Sequence, residues 1–331
     1  MPYVPPRISR RRALQVAVAV LAVLGLLTWW LNPFGKPELH GGLTFSTGAQ
    51  TGVYHRYGQL LKQELRQSMP GVDVELMTSE GSQENLKRLA TGEADFTVAT
   101  ADAVAKYRLD HKPGADLLRG CARLYDDYVQ LVVPAGSPVQ SARDLRGKRV
   151  AIGQPGSGVR LVAERLLVAA GLDPVLDLTP VSIGIDTMPS ELEAGRIDAF
   201  FWSGGLPTNA VQKLSERSDI RLVQLGDLVE RLQGDGSPAR YYRTAVMPQD
   251  AYKRARNTSA ITTVAVPNLL VTTAASDPEM TEQLTRTVIS SRDLVGREVH
   301  AAQLVDLRTA IYTDPLELHE GAGRYYRSEK P

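Results

Sequence analysis

Residues 43–54 read LTFSTGAQTGVY, and residues 150–160 read VAIGQPGSGVR. In both, an apolar, strand-like run breaks into a glycine-rich loop that then opens a helical pattern. Each copy leads to a helix that ends in Gly-x-x-Asp and is followed by another strand: LATGEADFTVAT carries Gly92 and Asp95, and LEAGRIDAFFW carries Gly195 and Asp198. The offset from Gly52 to Gly158 is 106 residues, and that from Asp95 to Asp198 is 103. Two α/β lobes of one plan, each aiming a glycine loop and a helix N-terminus at a cleft, point to a protein that closes on a small anion.

The pattern extends in both directions from these loops. In lobe one, residues 43–47 form a strand, and Tyr54, Tyr57, Leu60, Leu61, Leu65 and Met69 recur at helical spacing until Pro70-Gly71. Residues 72–76 alternate as a second strand. Ser82 is the expected N-cap of the next helix, Gly92 its left-handed stop, and residues 96–99 the third strand. Strand, helix, strand, helix, strand is a doubly wound unit, and right-handed crossovers make its sheet parallel. Lobe two repeats it with strands at 149–152, 178–183 and 199–202, a helix over 159–170 and a short helix running to Gly195. The apolar stretches 128–134 (YVQLVVP) and 261–272 (ITTVAVPNLLVT) read as the two crossings between lobes. Lobe one is thus expected over 43–133 and 270–331, with helices at 277–293 and 298–310 packing back on it, and lobe two over 134–269.

Composition narrows the function. The chain has 331 residues, 43% hydrophobic and 23% charged, with a net charge of +1. Its Lys and Arg residues are scattered, which argues against nucleic acid as a partner. The single cysteine, Cys121, excludes an internal disulfide framework, and five histidines at no ligand-like spacing leave metal catalysis without support. No serine sits in GxSxG and no nucleophile–base pair is evident, so the expectation is no enzyme, no cofactor and no metal.

Residues 13–31 carry no charge, follow a basic segment over 1–12 and close on Trp29-Trp30. At about 1.5 Å per residue such a helix just spans a hydrocarbon core. Three readings compete: an uncleaved signal anchor, which is favoured because no small-x-small cleavage site follows; a twin-arginine signal at residues 9–15; and a buried core helix. A linker over 32–42 follows. The two export readings put the chain from about residue 41 onward outside the cytoplasm.

Within the lobes, Gly153, Gly156 and Gly158 lie between a strand and a helix. Their order is reversed from a dinucleotide fingerprint, so a carboxylate held by helix N–H groups, with Ser157 adding a hydroxyl, is the better reading. Trp202 ends a strand at the crevice and reads as a cleft wall, against the alternative of a core tryptophan. Asp95 and Asp198 read as turn residues.

These segments resemble the TAXI family of TRAP-transporter solute receptors. The resemblance runs over STGAQTGVY, SEGSQENLKRLATGEADF, SARDLRGKRVAIGQPGSGV, AGRIDAFFWSGGLPT, TVAVPNLLVT and LHEGAGRYYR, in order. It implies a type II periplasmic-binding-protein fold, with two doubly wound lobes, a hinge and a ligand cleft. It further implies a small carboxylate solute, glutamate-like or a 2-oxo acid, delivered to a sodium-driven TRAP-type membrane permease. Ligand contacts carried over by the resemblance are Gly48, Thr51, Tyr54, Ser82, Asn85, Ser157, Gly158, Trp202, Gly204 and Pro207. The chain departs from the family pattern at Gly48-Ala49, at Tyr54-His55-Arg56, at Thr100-Ala101-Asp102 and at Val159. Ala49, Arg56 and Thr100 therefore join the candidate site, with Arg56 expected to supply a charge-assisted contact to a carboxylate. The alternatives are a ligand-sensing interaction protein on the same fold, a receptor for another transporter class, and a lyase on the same scaffold.

Overall fold

The computed structural model describes residues 10–31, 39–234, 236 and 238–329. The chain divides into two units, Met1–Leu39 and His40–Pro331. Taken by itself, the first unit contributes helix α1 (Arg10–Leu31), whose side chains over residues 15–26 are all exposed. Among the described residues no helix is long and apolar enough to cross a membrane. Residues 1–9 of the expected basic segment and 32–38 of the expected linker lie outside the described residues.

The second unit is built on one continuous mixed sheet. Its first part comes from β1 (Gly41–Ser46), β2 (Val72–Met77) and β3 (Phe96–Thr100), all parallel, in the order β2-β1-β3. Helices α2 (Val53–Ser68) and α3 (Ser82–Thr91) make the crossovers, and α4 (Ala101–Leu109) follows β3 directly. Next comes β4 (Leu118–Pro134), a strand of 17 residues of which only 128–134 stood out as an apolar run.

Lobe two repeats the plan with β5 (Arg149–Ala151), α5 (Gly158–Ala169), β6 (Thr179–Val181), α6 (Met188–Glu193) and β7 (Ala199–Gly204). Phe200 and Phe201 are consecutive in β7 and point to opposite faces of the sheet. Phe201 packs with Val162 and Leu166 of α5, whereas Phe200 packs with Met188 and Leu192 of α6. Burial on both faces explains why this strand reads as an unbroken apolar run rather than an alternation.

Between Gly204 and the return strand the chain adds α7 (Asn209–Arg217), β8 (Ile220–Val223), α8 (Val229–Gly234) and β9 (Arg243–Met247). The return strand is β10 (Ile261–Thr273). The sheet then runs β2-β1-β3-β10-β4-β7-β5-β6, with β8 beside β4 and β9 beside β10. Strands β4 and β10 belong to both lobes: Tyr128 pairs with Ala265 on one side and Gly204 on the other, while Ala122 pairs with Leu270. Their ladder shifts register between Pro267 and Leu269, where proline's missing N–H is tolerated.

The C-terminal chain packs on lobe one through α9 (Pro278–Ser290), α10 (Arg292–Gly296), α11 (Leu307–Ala310) and α12 (Glu320–Ser328). The single helix expected over 298–310 is instead a 3-10 turn at His300–Leu304 followed by α11. Asp306 starts α11 afresh by accepting the Arg308 N–H, which breaks the run.

The internal repeat extends to hydrogen bonds. Asp95 Oδ2 accepts the Thr44 N–H at 2.7 Å, and Asp198 Oδ2 accepts the Arg149 N–H at 2.8 Å. Each aspartate thus clips one strand to the turn before another, Thr44 within β1 and Arg149 at the start of β5. Gly92 ends α3 in the left-handed region at φ 78°, as its position implied. Ser82, by contrast, is not the N-cap: Gly81 holds that position without a side-chain bond, and Ser82 is the first helical residue.

Asn85, on α3, binds the strand tips together. Its Oδ1 accepts from Ser46 Oγ and Ser79 Oγ, both at 2.7 Å, and its Nδ2 donates to the carbonyls of Thr47 at 2.7 Å and Val98 at 2.9 Å. It is fully buried. Removing the amide leaves several buried groups without partners, so Asn85→Ala is expected to lower folding stability by about 3 kcal/mol. Urea unfolding checks this; an unchanged midpoint would contradict it.

Candidate functional site

Both lobes contribute to one cleft at the C-terminal ends of the strands. The beginnings of four helices line it: Gly52, Val53 and Tyr54 at α2, Gly81 and Ser82 at α3, Thr100 at α4, and Ser157, Gly158 and Val159 at α5. The first N–H groups of a helix have no partner within it, and the helix dipole makes that end positive. The cavity has a volume of about 60 Å³. One water takes roughly 10–15 Å³ on that measure, so the space suits a small solute.

Of the candidate residues, Gly48, Ala49, Tyr54, Ser82, Thr100, Ser157, Gly158, Trp202 and Gly204 line this cavity. Ser82 Oγ accepts the Thr100 N–H at 3.2 Å and lies 3.3 Å from Tyr54 Oη. Trp202 donates its indole N–H to Thr208 Oγ1 at 3.0 Å, which pins the ring. The ring also packs against both core clusters of lobe two, so Trp202 serves as cleft wall and core edge together. Ser157 lines the cavity, but its hydroxyl is engaged locally, donating to the Gln154 carbonyl at 2.7 Å and accepting the Arg160 N–H at 3.0 Å.

Four candidates lie elsewhere. Asn85 is buried behind the cavity with its amide fully used. Thr51, Arg56 and Pro207 line an adjoining groove between the lobes. Thr51 bonds to Asp186 through both its N–H and its hydroxyl. The Arg56 guanidinium pairs with Glu298, and both side chains are about half exposed, at 46% and 50%. Arg56 is therefore outside the cavity it was expected to serve, its charge drawn off by a partner far along the chain.

The lobes meet around the cavity. The Glu84 N–H donates to the Gly156 carbonyl at 3.0 Å, and Gln83 Nε2 donates to the Ser157 carbonyl at 2.8 Å. A Cβ on Gly158 would lie 3.0 Å from Ser82 Oγ and 3.4 Å from Ser82 Cβ, so only glycine allows this approach without displacement. Further along, Tyr242 Oη donates to Asp102 Oδ2 at 2.5 Å, and Arg165 Nη1 donates to Tyr242 Oη at 3.2 Å.

Two acidic residues on the cavity wall were not among the candidates. Asp127, in β4 at the crossing, is 3% exposed. Its Oδ1 accepts from Asn268 Nδ2 at 2.7 Å, and Asn268 Oδ1 in turn accepts from Tyr54 Oη. Ser203 Oγ reaches Asp127 Oδ2 only at 3.5 Å. Burial pushes the Asp127 carboxyl up to about 7, with the Asp102 carboxylate adding to the rise and the Asn268 bond opposing it. Burial, reinforced by the Asp127 charge, also holds the Tyr54 phenol well above its usual range, so it remains a donor. Glu80, at the exposed edge, is raised by burial and then by Glu84 and Asp186. The sequence signal for Asp127 was an acid directly before the apolar run 128–134, and the structure sets it inside β4, where acids are depleted.

Comparison with solved structures places the fold. A Bordetella bronchiseptica protein aligns over 90% of this chain and 92% of its own, with a TM-score of 0.54 at 16% identity. An ancestral arginine-binding protein bound to arginine aligns over 78% and 98%, with a TM-score of 0.51 at 15% identity. A putative L-cystine ABC transporter from Listeria monocytogenes aligns over 81% and 99%, with a TM-score of 0.51 at 15% identity. The architecture is the α/β periplasmic-binding-protein fold. At the level of sequence, the profile of the NMT1-like family matches residues 45–329. The chain belongs to the NMT1-like family.

Proposed function

We propose that this protein is an extracytoplasmic solute-binding receptor that captures a small carboxylate-bearing solute between its lobes and hands it, unchanged, to a membrane permease. The observation that carries this reading is the convergence of four helix starts, from both lobes, on one cleft. With no Lys, Arg or His among its lining residues, an anion there is held by backbone N–H groups and helix dipoles. Ser82, Tyr54 and Trp202 then orient the rest of the solute. The apolar stretch over 13–31 and its basic flank support tethering of the receptor at the membrane, which raises its effective concentration near a permease.

The six-segment resemblance to TAXI receptors favours a TRAP-type, sodium-driven permease. A second reading, an ABC-type partner, draws on the Listeria neighbour of the same fold. Uptake that collapses with the sodium gradient supports the first, and uptake that tracks ATP supports the second.

Titration calorimetry of the full chain against small monocarboxylates, dicarboxylates, sulfonates and sugars tests the receptor reading. A saturable response among carboxylates alone is expected; its absence from a folded sample overturns the reading. A methyl group at position 158 would strike Ser82, so Gly158→Ala is expected to weaken binding about tenfold while the fold persists. Arg56→Ala is expected to leave affinity within about twofold, because an exposed ion pair outside the cavity contributes little. A large loss with Arg56→Ala would return that residue to the site.

A further inference from the structure

We propose that the bound solute is a small neutral α-amino acid whose ammonium group docks on Asp127 while its carboxylate faces the helix starts. This deepens the receptor reading and rests on it. Asp127 is a buried carboxylate on the wall of the cleft, with one good hydrogen bond, from Asn268, and one at the limit of range, from Ser203. Nearby guanidinium groups do not compensate it: Arg123 and Arg243 both pair with the adjacent Asp126, which faces the other way. Glu80 adds a second carboxylate at the cavity edge. A buried carboxylate without a cation takes up a proton or recruits a positive ligand group.

With Asp127 ionised, the same inventory disfavours other carboxylates. A dicarboxylate would bring a second negative charge to a wall that already holds Asp127. A 2-oxo acid would leave Asp127 with no cation. The remaining walls include Val53, Ile185, Met188 and the face of Trp202, which suit an uncharged side chain. The groups that face Asp127 are Tyr54 from α2, Tyr125 from its own strand, Asp102 from α4, Asn268 from β10 and Ser203 from β7. Both tyrosine phenols are pushed far up by burial and remain neutral near pH 7, so neither can replace the missing cation.

The test compares matched pairs by calorimetry on the full chain at pH 8: L-alanine with pyruvate, L-valine with 3-methyl-2-oxobutanoate, and L-leucine with 4-methyl-2-oxopentanoate. At least one amino acid should bind at least about thirtyfold more tightly than its oxo analogue, the loss expected when a buried charge loses its partner. Asp127→Asn, nearly isosteric, should abolish that preference. If this variant does not fold, the wild type still decides. Its affinity for the amino acid should fall about tenfold per unit as pH drops below 7, because protonating Asp127 removes the ammonium's partner. Oxo acids binding as well as amino acids, or an amino-acid affinity untouched by both pH and Asp127→Asn, would overturn the proposal while leaving the receptor reading intact. Failure of every carboxylate in the wider screen would overturn both.

Discussion

The pairing of β4 with β10 is the constraint on which the rest of the molecule depends. Each strand is long enough to serve both lobes, so the lobes share a paired two-strand ladder rather than a flexible tether. The ladder is irregular between Pro267 and Leu269, close to where the strands pass from one lobe to the other. That is where a change of angle costs least, since the regular hydrogen bonds are already interrupted. Asp127 lies beside this irregularity and Asn268 within it, joined by a side-chain bond. The polar chain from Tyr54 through Asn268 and Asp127 to Ser203 therefore crosses the hinge itself. A solute that touches Asp127 touches the element whose geometry changes when the lobes move.

The cavity obtains its charge pattern in two different ways. Its positive side is backbone: helix starts at Gly52, Gly81, Thr100 and Ser157, with few side chains in between. Its negative side is made of side chains, Asp127 and Glu80. Backbone N–H groups are fixed by the helices that carry them, so they need little ordering when a ligand arrives. The arrangement requires the two lobes to approach very closely, and the absence of a side chain at Gly158 makes room for Ser82. Glycines at the loop of lobe two thus serve two needs: Gly153 and Gly156 adopt positive φ in the turn, while Gly158 provides clearance.

The repeated strand–loop–helix plan and the turn placement of Asp95 and Asp198 were legible in the sequence because each is local or repeated at a fixed offset. What escaped depends on the partner each side chain finds once the chain is folded. The family resemblance makes Asn85 a ligand contact, yet the carbonyls of Thr47 and Val98 consume its amide. Arg56 looks like an anion receptor until Glu298 is folded against it. Ser157 is near the solute space, but the Gln154 carbonyl and the Arg160 N–H use its hydroxyl. Asp127 was passed over for the opposite reason: it borders an apolar run, and only the crossing of two strands turns it toward a cavity. Residues 205–260 carry neither repeat nor glycine loop, and their short elements are ordered by packing on lobe two rather than by local pattern.

Closure between the lobes is held by polar contacts of modest individual strength. The bonds from Glu84 to Gly156, from Gln83 to Ser157 and from Tyr242 to Asp102 all join groups that water can serve equally well when the lobes part. Net gains from such exchanges are about 1 kcal/mol each, and ordering the side chains offsets part of that. The balance between open and closed forms then rests on contacts made only in the closed state. A solute between Ser82 and Tyr54 on one side, Asp127 at the crossing and the α5 start with Trp202 on the other makes such contacts with both lobes at once. It shifts the population by its differential affinity for the closed form, with no separate switch required. The burial of Asp127 sharpens this dependence: an ionised carboxylate enclosed without a cation opposes closure, and the same carboxylate paired with one favours it.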